Sequence, residues 1–311
     1  MSARAHTLRR PSLYGLAPLL VVLALSAAPA RAQDNGDDGD VVRVNTDLVV
    51  VNVTVTDTGG KYVRGLKRAD FKLMEDGREQ ALSSFGAEET PFAAAVLLDF
   101  SGSMETRVSM ARAAAIRFLD GLREEDVAAV YRFDSEIEQL QDYSPSRDLA
   151  PLAFGMRAKG MTVLNDAIVR AADDLSRRPE KRRAIVVLSD GYDTKSSASM
   201  EKALAAAASA GVTIYTVDMT PENARPEARV QASGILRNFA GKSGGRYIKT
   251  PGGRELREAF GSIIEELGNQ YTLAYRPANG ARDGKWREID IKLGRPELIT
   301  RTRKGYRAPK G

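Results

Sequence analysis

The chain of 311 residues contains no cysteine and a single histidine, His6. Without cysteine no disulfide can form, thiolate metal ligands are excluded, and so is lipid attachment through a cysteine. His6 lies in a segment that reads as a leader, so the chain beyond it has neither Cys nor His. Ser–His–Asp and Cys–His catalysis fall together, as do zinc sites built on imidazole or thiolate. Any metal this protein holds is held by oxygen.

A long apolar run is also missing. The one candidate spans about Leu13 to Ala28, follows Arg4, Arg9 and Arg10, and ends in "APARA" before Gln33. It is short for a membrane span of roughly 20 residues; Pro18 interrupts it and Pro29 ends it. A basic start, an apolar core and Ala30-Arg31-Ala32 predict an export signal over residues 1–32 rather than a lasting membrane anchor. The expected location is therefore periplasmic or extracellular. The excess of positive charge goes with the leader. The chain has 46 Lys and Arg against 41 Asp and Glu, and four of the arginines (Arg4, Arg9, Arg10, Arg31) lie in the leader, leaving 42 against 41. No concentrated basic face remains to support a nucleic-acid partner.

What is present divides into β, then alternating β and α, then β again. Residues 33–40, "QDNGDDGD", read as an acidic tail. Over 41–91, Val49, Val51, Val53 and Val55 alternate with Val50, Asn52, Thr54 and Thr56, and Asp76-Gly77 is a hairpin dipeptide between two short strands. From 92 to 268 apolar strands at 93–98, 127–133, 184–188 and 212–217 alternate with helical patterns near 106–122, 164–177, 199–210, 230–241 and 254–268. Such alternation predicts an α/β fold, a doubly wound and mostly parallel sheet covered by helices on both faces. Residues 269–311 return to β with "QYTLAYRP", "WREIDIKL" and "LITRTRKGY". Neither β segment makes a sandwich alone. Together they supply about seven strands, so the α/β part is expected to be inserted into, or flanked by, a small β-sandwich. Tyr271, Tyr275 and Trp286 are expected to pack inside it.

The chemistry gathers at three strand ends. "AAAVLLDFSGSM" closes a buried strand with Asp99, followed by Ser101 and Ser103; "KGMTVLNDAI" puts Thr162 in a loop before a helix; "AIVVLSDGYDT" closes another buried strand with Asp190. In an open α/β sheet, ligands collect where strands end. If these strands are neighbours, two carboxylates and three hydroxyls converge. That donor set suits a hard divalent cation, magnesium first, with manganese or calcium as alternatives. Neutral hydroxyls quench the charge poorly, so the ion keeps a position for an outside acid. Taken singly, Asp99 also reads as a helix cap or turn residue, and Ser103 as a cap for a helix starting near Thr106. Asp166 reads as a first-turn acid of its helix and Asp193 as a solvated side chain.

At these residues the chain resembles the von Willebrand factor type A domain, over about residues 91–268. "DFSGSM", "GMT" and "LSDG" match that family's Asp-x-Ser-x-Ser, later Thr and later Asp, with Met161 where glycine is commoner. The resemblance implies a metal-ion-dependent adhesion site on Asp99, Ser101, Ser103, Thr162 and Asp190. It further implies reversible binding of a protein partner through an exposed acidic residue, and no enzymatic reaction. "DMTPENARPEAR" follows a strand on the same edge, so Arg225 and Arg229 are candidate contacts to an acidic partner; a solvated loop is the plainer reading. Two other functions stand beside this one. The first is an envelope structural protein that binds mainly through its sandwich. The second is a magnesium-dependent phosphatase with Asp99 as nucleophile, which would lack its usual second acid because Ser101 stands two residues on.

Overall fold

Val49, Val51, Val53 and Val55 are all buried, as their period of two requires, on the first strand of a computed structural model. The structure describes residues 48–87, 89–146, 161–221, 223–250 and 252–310. These fall in one structural unit, Thr46–Gly311. The leader and tail expected over 1–40 lie outside the described residues.

In chain order the elements are β1 (Val49–Thr56), β2 (Phe71–Glu75), β3 (Arg78–Gln80), β4 (Leu82–Gly86), β5 (Phe92–Asp99), α1 (Val108–Asp120), β6 (Val127–Phe133), β7 (Ile137–Ser144), α2 (Leu164–Ser176), β8 (Arg182–Ser189), α3 (Met200–Ser209), β9 (Val212–Asp218), α4 (Pro226–Ser243), β10 (Tyr247–Lys249), α5 (Gly253–Gly268), β11 (Tyr271–Tyr275), β12 (Trp286–Leu293), β13 (Ile299–Arg301) and β14 (Gly305–Arg307). The central sheet runs β10-β9-β8-β5-β6-β7. All its pairings are parallel except that of β6 with β7. Residues of α1 and α5 pack on one face and those of α2, α3 and α4 on the other. Every residue of β5 is buried, as a strand covered on both faces must be.

The two outer β segments pair with each other. β1 lies antiparallel to β11, with Val51 opposite Leu273, and β2 lies antiparallel to β12, with Leu73 opposite Ile291. They form two four-stranded sheets, β13-β1-β11-β4 and β14-β12-β2-β3. Val51, Val53, Leu73, Leu273, Ile289 and Ile291 share one apolar core between them. The Asp76-Gly77 turn has positive φ at both residues (47° and 77°), the geometry that joins two twisted strands most tightly.

Some expectations change. "LITRTRKGY" reads as one strand but forms two, β13 and β14, on different sheets. β7 and β10 were not expected; β7 is an edge strand with no buried residue, and β10 has only three residues, so neither leaves an apolar signature. Tyr271 and Tyr275 are buried in the sandwich as expected. Trp286 is not: it is 48 % exposed. Parity explains this, because Arg287, Ile289 and Ile291 take the inner face of β12, which sends Trp286 outward. There the indole lies over Gly305, where an added Cβ would come within 2.6 Å of it.

Candidate metal centre

Strand order fixes where a ligand can enter. From β5 the chain crosses to β6 on one side and later returns to place β8 on the other. The carboxyl ends of β5 and β8 therefore flank the point where the winding reverses, the place where open α/β sheets form their crevice. Asp99 ends β5, and Asp190 follows the last residue of β8. Leu98 pairs with Leu188, so the next step sets Asp99 beside Ser189.

Asp99 is fully buried. The Ser101 backbone N–H donates to its Oδ1 at 2.8 Å, and the Ser189 hydroxyl donates to its Oδ2 at 2.6 Å. Burial pushes the carboxyl up to about 7, and the Asp190 carboxylate pushes in the same direction against the hydrogen bonds from Ser101 and Ser189. Ser101 precedes a 3-10 turn, Gly102–Arg107, and its carbonyl accepts from Met104 N at 2.9 Å. Ser103 lies in that turn, and its side chain is not among those described. The α-helix itself begins at Val108.

Asp190 is buried at a turn that depends on glycine. Gly191 has φ +81°, and a Cβ there would come within 2.7 Å of the Ala232 carbonyl on α4. The Thr162 segment, also buried, is tied to both sides of the crevice. Val163 N donates to Asp134 O at 2.9 Å in the turn after β6. Thr162 N donates to Thr194 Oγ1 at 2.9 Å, and Thr162 O accepts from the amides of Thr194 and Lys195 at 3.0 and 3.1 Å.

The two nearby acids complete this clamp. Asp193 is not simply solvated: its carboxylate accepts from Asn165 N at 2.7 Å and Ser196 N at 3.0 Å, because first-turn amides of α2 need acceptors. Asp166 sits in the first turn of α2 as expected, and its oxygens also reach Ser197 N and Ala198 N, both at 2.8 Å. Both carboxylates are thus used to hold loops together.

Sequence reasoning missed a second tier of residues. Ser189 touches Asp99 directly. Asp218, across from Ser189 on β9, accepts from Thr220 N and Oγ1, Ser233 Oγ and Tyr247 OH at 2.8, 2.5, 3.0 and 2.5 Å. Thr220 Oγ1 also lies 3.3 Å from Asp190 O. The signals were in the chain: "LSDG" carries a hydroxyl one residue before Asp190, and "DMT" repeats the Asp-x-hydroxyl spacing of Asp99 and Ser101. Arg225 is exposed at the N-cap of α4 and Arg229 is half-buried one turn on. On that helix Arg229 precedes Ser233 by one turn, on the side that bonds Asp218.

The donor set fits a divalent cation. Asp99, Ser101, Thr162 and Asp190 are all buried oxygen donors at the crevice, and the Asp190 carboxylate raises the cost of ionising Asp99. A divalent ion relieves that repulsion and prefers oxygen. Among the described residues there is no group of three or more His, Cys, Asp or Glu able to hold a metal. The candidate donor set has two carboxylates, Asp99 and Asp190, and its remaining members are hydroxyls.

A family model described as "VWA domain containing CoxE-like protein" matches residues 69–240, more than half of the chain. No curated protein matches. Similar solved structures include a von Willebrand factor type A protein from Catenulispora acidiphila, at 13% identity over 80% of this chain and 76% of that one, TM-score 0.48. BatB, a conserved hypothetical protein from Bacteroides thetaiotaomicron, is 18% identical over 57% of this chain and 98% of that one, TM-score 0.45. The vWF domain of the type V pili tip protein Mfa5 from Porphyromonas gingivalis is 13% identical over 57% of this chain and 95% of that one, TM-score 0.46.

Proposed function

This chain belongs to the VWA domain family, and we propose that it is an exported, metal-dependent protein-binding module used in adhesion or scaffolding. The observation that carries the reading is the pair Asp99 and Asp190. Both are buried at adjacent strand ends of the switch point, and both press against each other electrostatically. A protein stabilises such a pair poorly on its own. Asp99, Ser101, Ser103, Thr162 and Asp190 would hold the ion, magnesium first by its preference for oxygen. When bound, the cation supplies a Lewis-acidic contact for a carboxylate on the partner. The chain's own contribution is placement: the Thr162 clamp and the Gly191 turn fix their donors, and burial keeps water from competing for them. Arg225 and Arg229, on the first turns of α4, would draw an acidic partner toward the crevice.

In this reading residues 1–32 direct export to the periplasm or beyond the cell and are removed, and 33–40 form a tail. The α/β part, 92–268, carries the site, and the sandwich segments 41–91 and 269–311 present it. The test is calorimetric titration of the purified protein with magnesium chloride, followed by capture of partners from an envelope extract. Wild type should bind magnesium and capture protein only when magnesium is present. Asp99→Ala should lose both while keeping its circular dichroism spectrum. Capture that survives Asp99→Ala and a chelator would move the function to the sandwich. Magnesium-dependent release of phosphate from an aryl phosphate would move it to catalysis.

A further inference from the structure

The hydroxyl of Ser189 stands between the two carboxylate-bearing strand ends, and the direction of its hydrogen bonds is forced. Gly191 N, a donor only, donates to Ser189 Oγ at 2.9 Å. The oxygen must therefore accept there, which leaves its single proton for Asp99 Oδ2 at 2.6 Å. The neighbour on the other side, Asp218, lies directly across from Ser189 on β9. It does not compete for that proton, since Thr220, Ser233 and Tyr247 already supply it with four donors. Ser189 is wholly buried.

We propose that Ser189 is a positioning residue for the cation site: one hydroxyl orients the Asp99 carboxylate and, through the Gly191 amide, sets it against the turn that carries Asp190. This rests on the cation site proposed above. The hydroxyl makes no contact with the ion in this role. It fixes the separation and orientation of the two charges that do. Oxygen donors around a small divalent ion must be well placed to bind it tightly, and neighbours that orient ligands typically govern affinity tenfold or more.

The experiment is magnesium titration by calorimetry on the full chain, together with thermal unfolding in chelator. Ser189→Ala should weaken magnesium about tenfold, while Ser189→Thr, which keeps the hydroxyl, stays within about twofold of wild type. A residue needed only for folding would lower the unfolding temperature in chelator and leave magnesium affinity alone; that result, or equal affinity in Ser189→Ala and wild type, overturns the inference. Should Ser189→Ala not fold, Ser189→Cys, a weak donor of similar size, takes its place against Ser189→Thr: weaker binding by the Cys variant supports the role, and equal binding overturns it. Failure of wild type to bind magnesium at all would instead overturn the cation site, and this inference with it.

Discussion

The two ends of the central sheet handle buried charge in opposite ways. At the amino end, against the sandwich, Arg182 is fully buried and spreads its guanidinium over Leu267 O at 2.9 Å, Ala87 O at 2.6 Å and Gln270 O at 2.5 Å. Glu266 on α5, also buried, ion-pairs with Arg301 of β13, has Arg246 at 3.7 Å, and accepts from Tyr215 OH at 2.7 Å and Thr54 Oγ1 at 3.2 Å. That charge is answered inside the molecule. At the carboxyl end the Asp99 carboxylate takes a backbone amide and a hydroxyl, with a second carboxylate adding repulsion. The base is neutralised internally; at the rim the cation proposed above would supply the missing positive charge. Burial alone does not distinguish a joint from a site; the sign of what surrounds the buried group does.

The largest expected effect breaks the base. Glu266→Ala removes the buried carboxylate that pairs with Arg301, itself a third exposed, and leaves the Tyr215 and Thr54 hydroxyls without their acceptor, a change that costs about 3 kcal/mol. Chemical denaturation should show that loss, and magnesium titration of the folded fraction should be unchanged. Coupled loss of magnesium affinity would mean that the two ends are not independent.

The rim should respond in reverse. In the proposed site Asp190→Ala would delete one of the two charges on the ion, so magnesium affinity is expected to fall by more than about 100-fold. It should barely change stability in chelator, because it also removes the repulsion with Asp99. Wild type in magnesium at about 100 times its Kd should gain about 2.7 kcal/mol of stability, and the variant should gain none. Denaturation curves with magnesium and with chelator give both quantities.

A smaller effect sharpens the base further. Asn52 on β1 donates to Gly211 O and Thr213 Oγ1, both at 3.3 Å, and accepts from Thr272 Oγ1 at 3.0 Å. It is a neutral tie between the sandwich and the α/β part. Asn52→Ala should cost about 1–2 kcal/mol by the same denaturation assay, less than loss of Glu266, if charge rather than hydrogen bonding sets the strength of that joint.

Much of this contrast was legible in the sequence, and the remainder was hidden for definite reasons. Strand ends carrying Asp99 and Asp190 stand out because long apolar runs stop at an acid, and parallel order follows from the alternation of strands and helices. The Asp76-Gly77 hairpin was readable because only a few dipeptides suit that turn. Ser189 was not, since its meaning comes from register with β5, and register belongs to a pair of strands. Asp193 looked solvated because one of its two donors, the Asn165 amide, lies in a distant segment of the chain. Trp286 misled because residue type suggests a core, whereas the parity of β12 decides which face it occupies. The base escaped notice altogether: Glu266 sits on an ordinary amphipathic helix, and its arginines come from distant parts of the chain.

The smallest expected effect asks whether the rim is tuned for binding at the expense of folding. Arg225 occupies the N-cap of α4, with no side-chain cap bond, just before Pro226. A cation there opposes the helix dipole, and its side chain cannot accept from the free first-turn amides. A residue chosen for the helix would be Ser or Asp. Arg225→Ser should therefore raise stability by about 0.5–1 kcal/mol, seen as a higher unfolding temperature. In the proposed function the same change removes a positive charge that faces an acidic partner, so magnesium-dependent capture should slow while magnesium affinity itself stays constant. An exposed, badly capping arginine that stabilises when replaced and binds less well afterwards belongs to the site. One whose replacement leaves capture untouched is surface, and the rim then ends at the crevice.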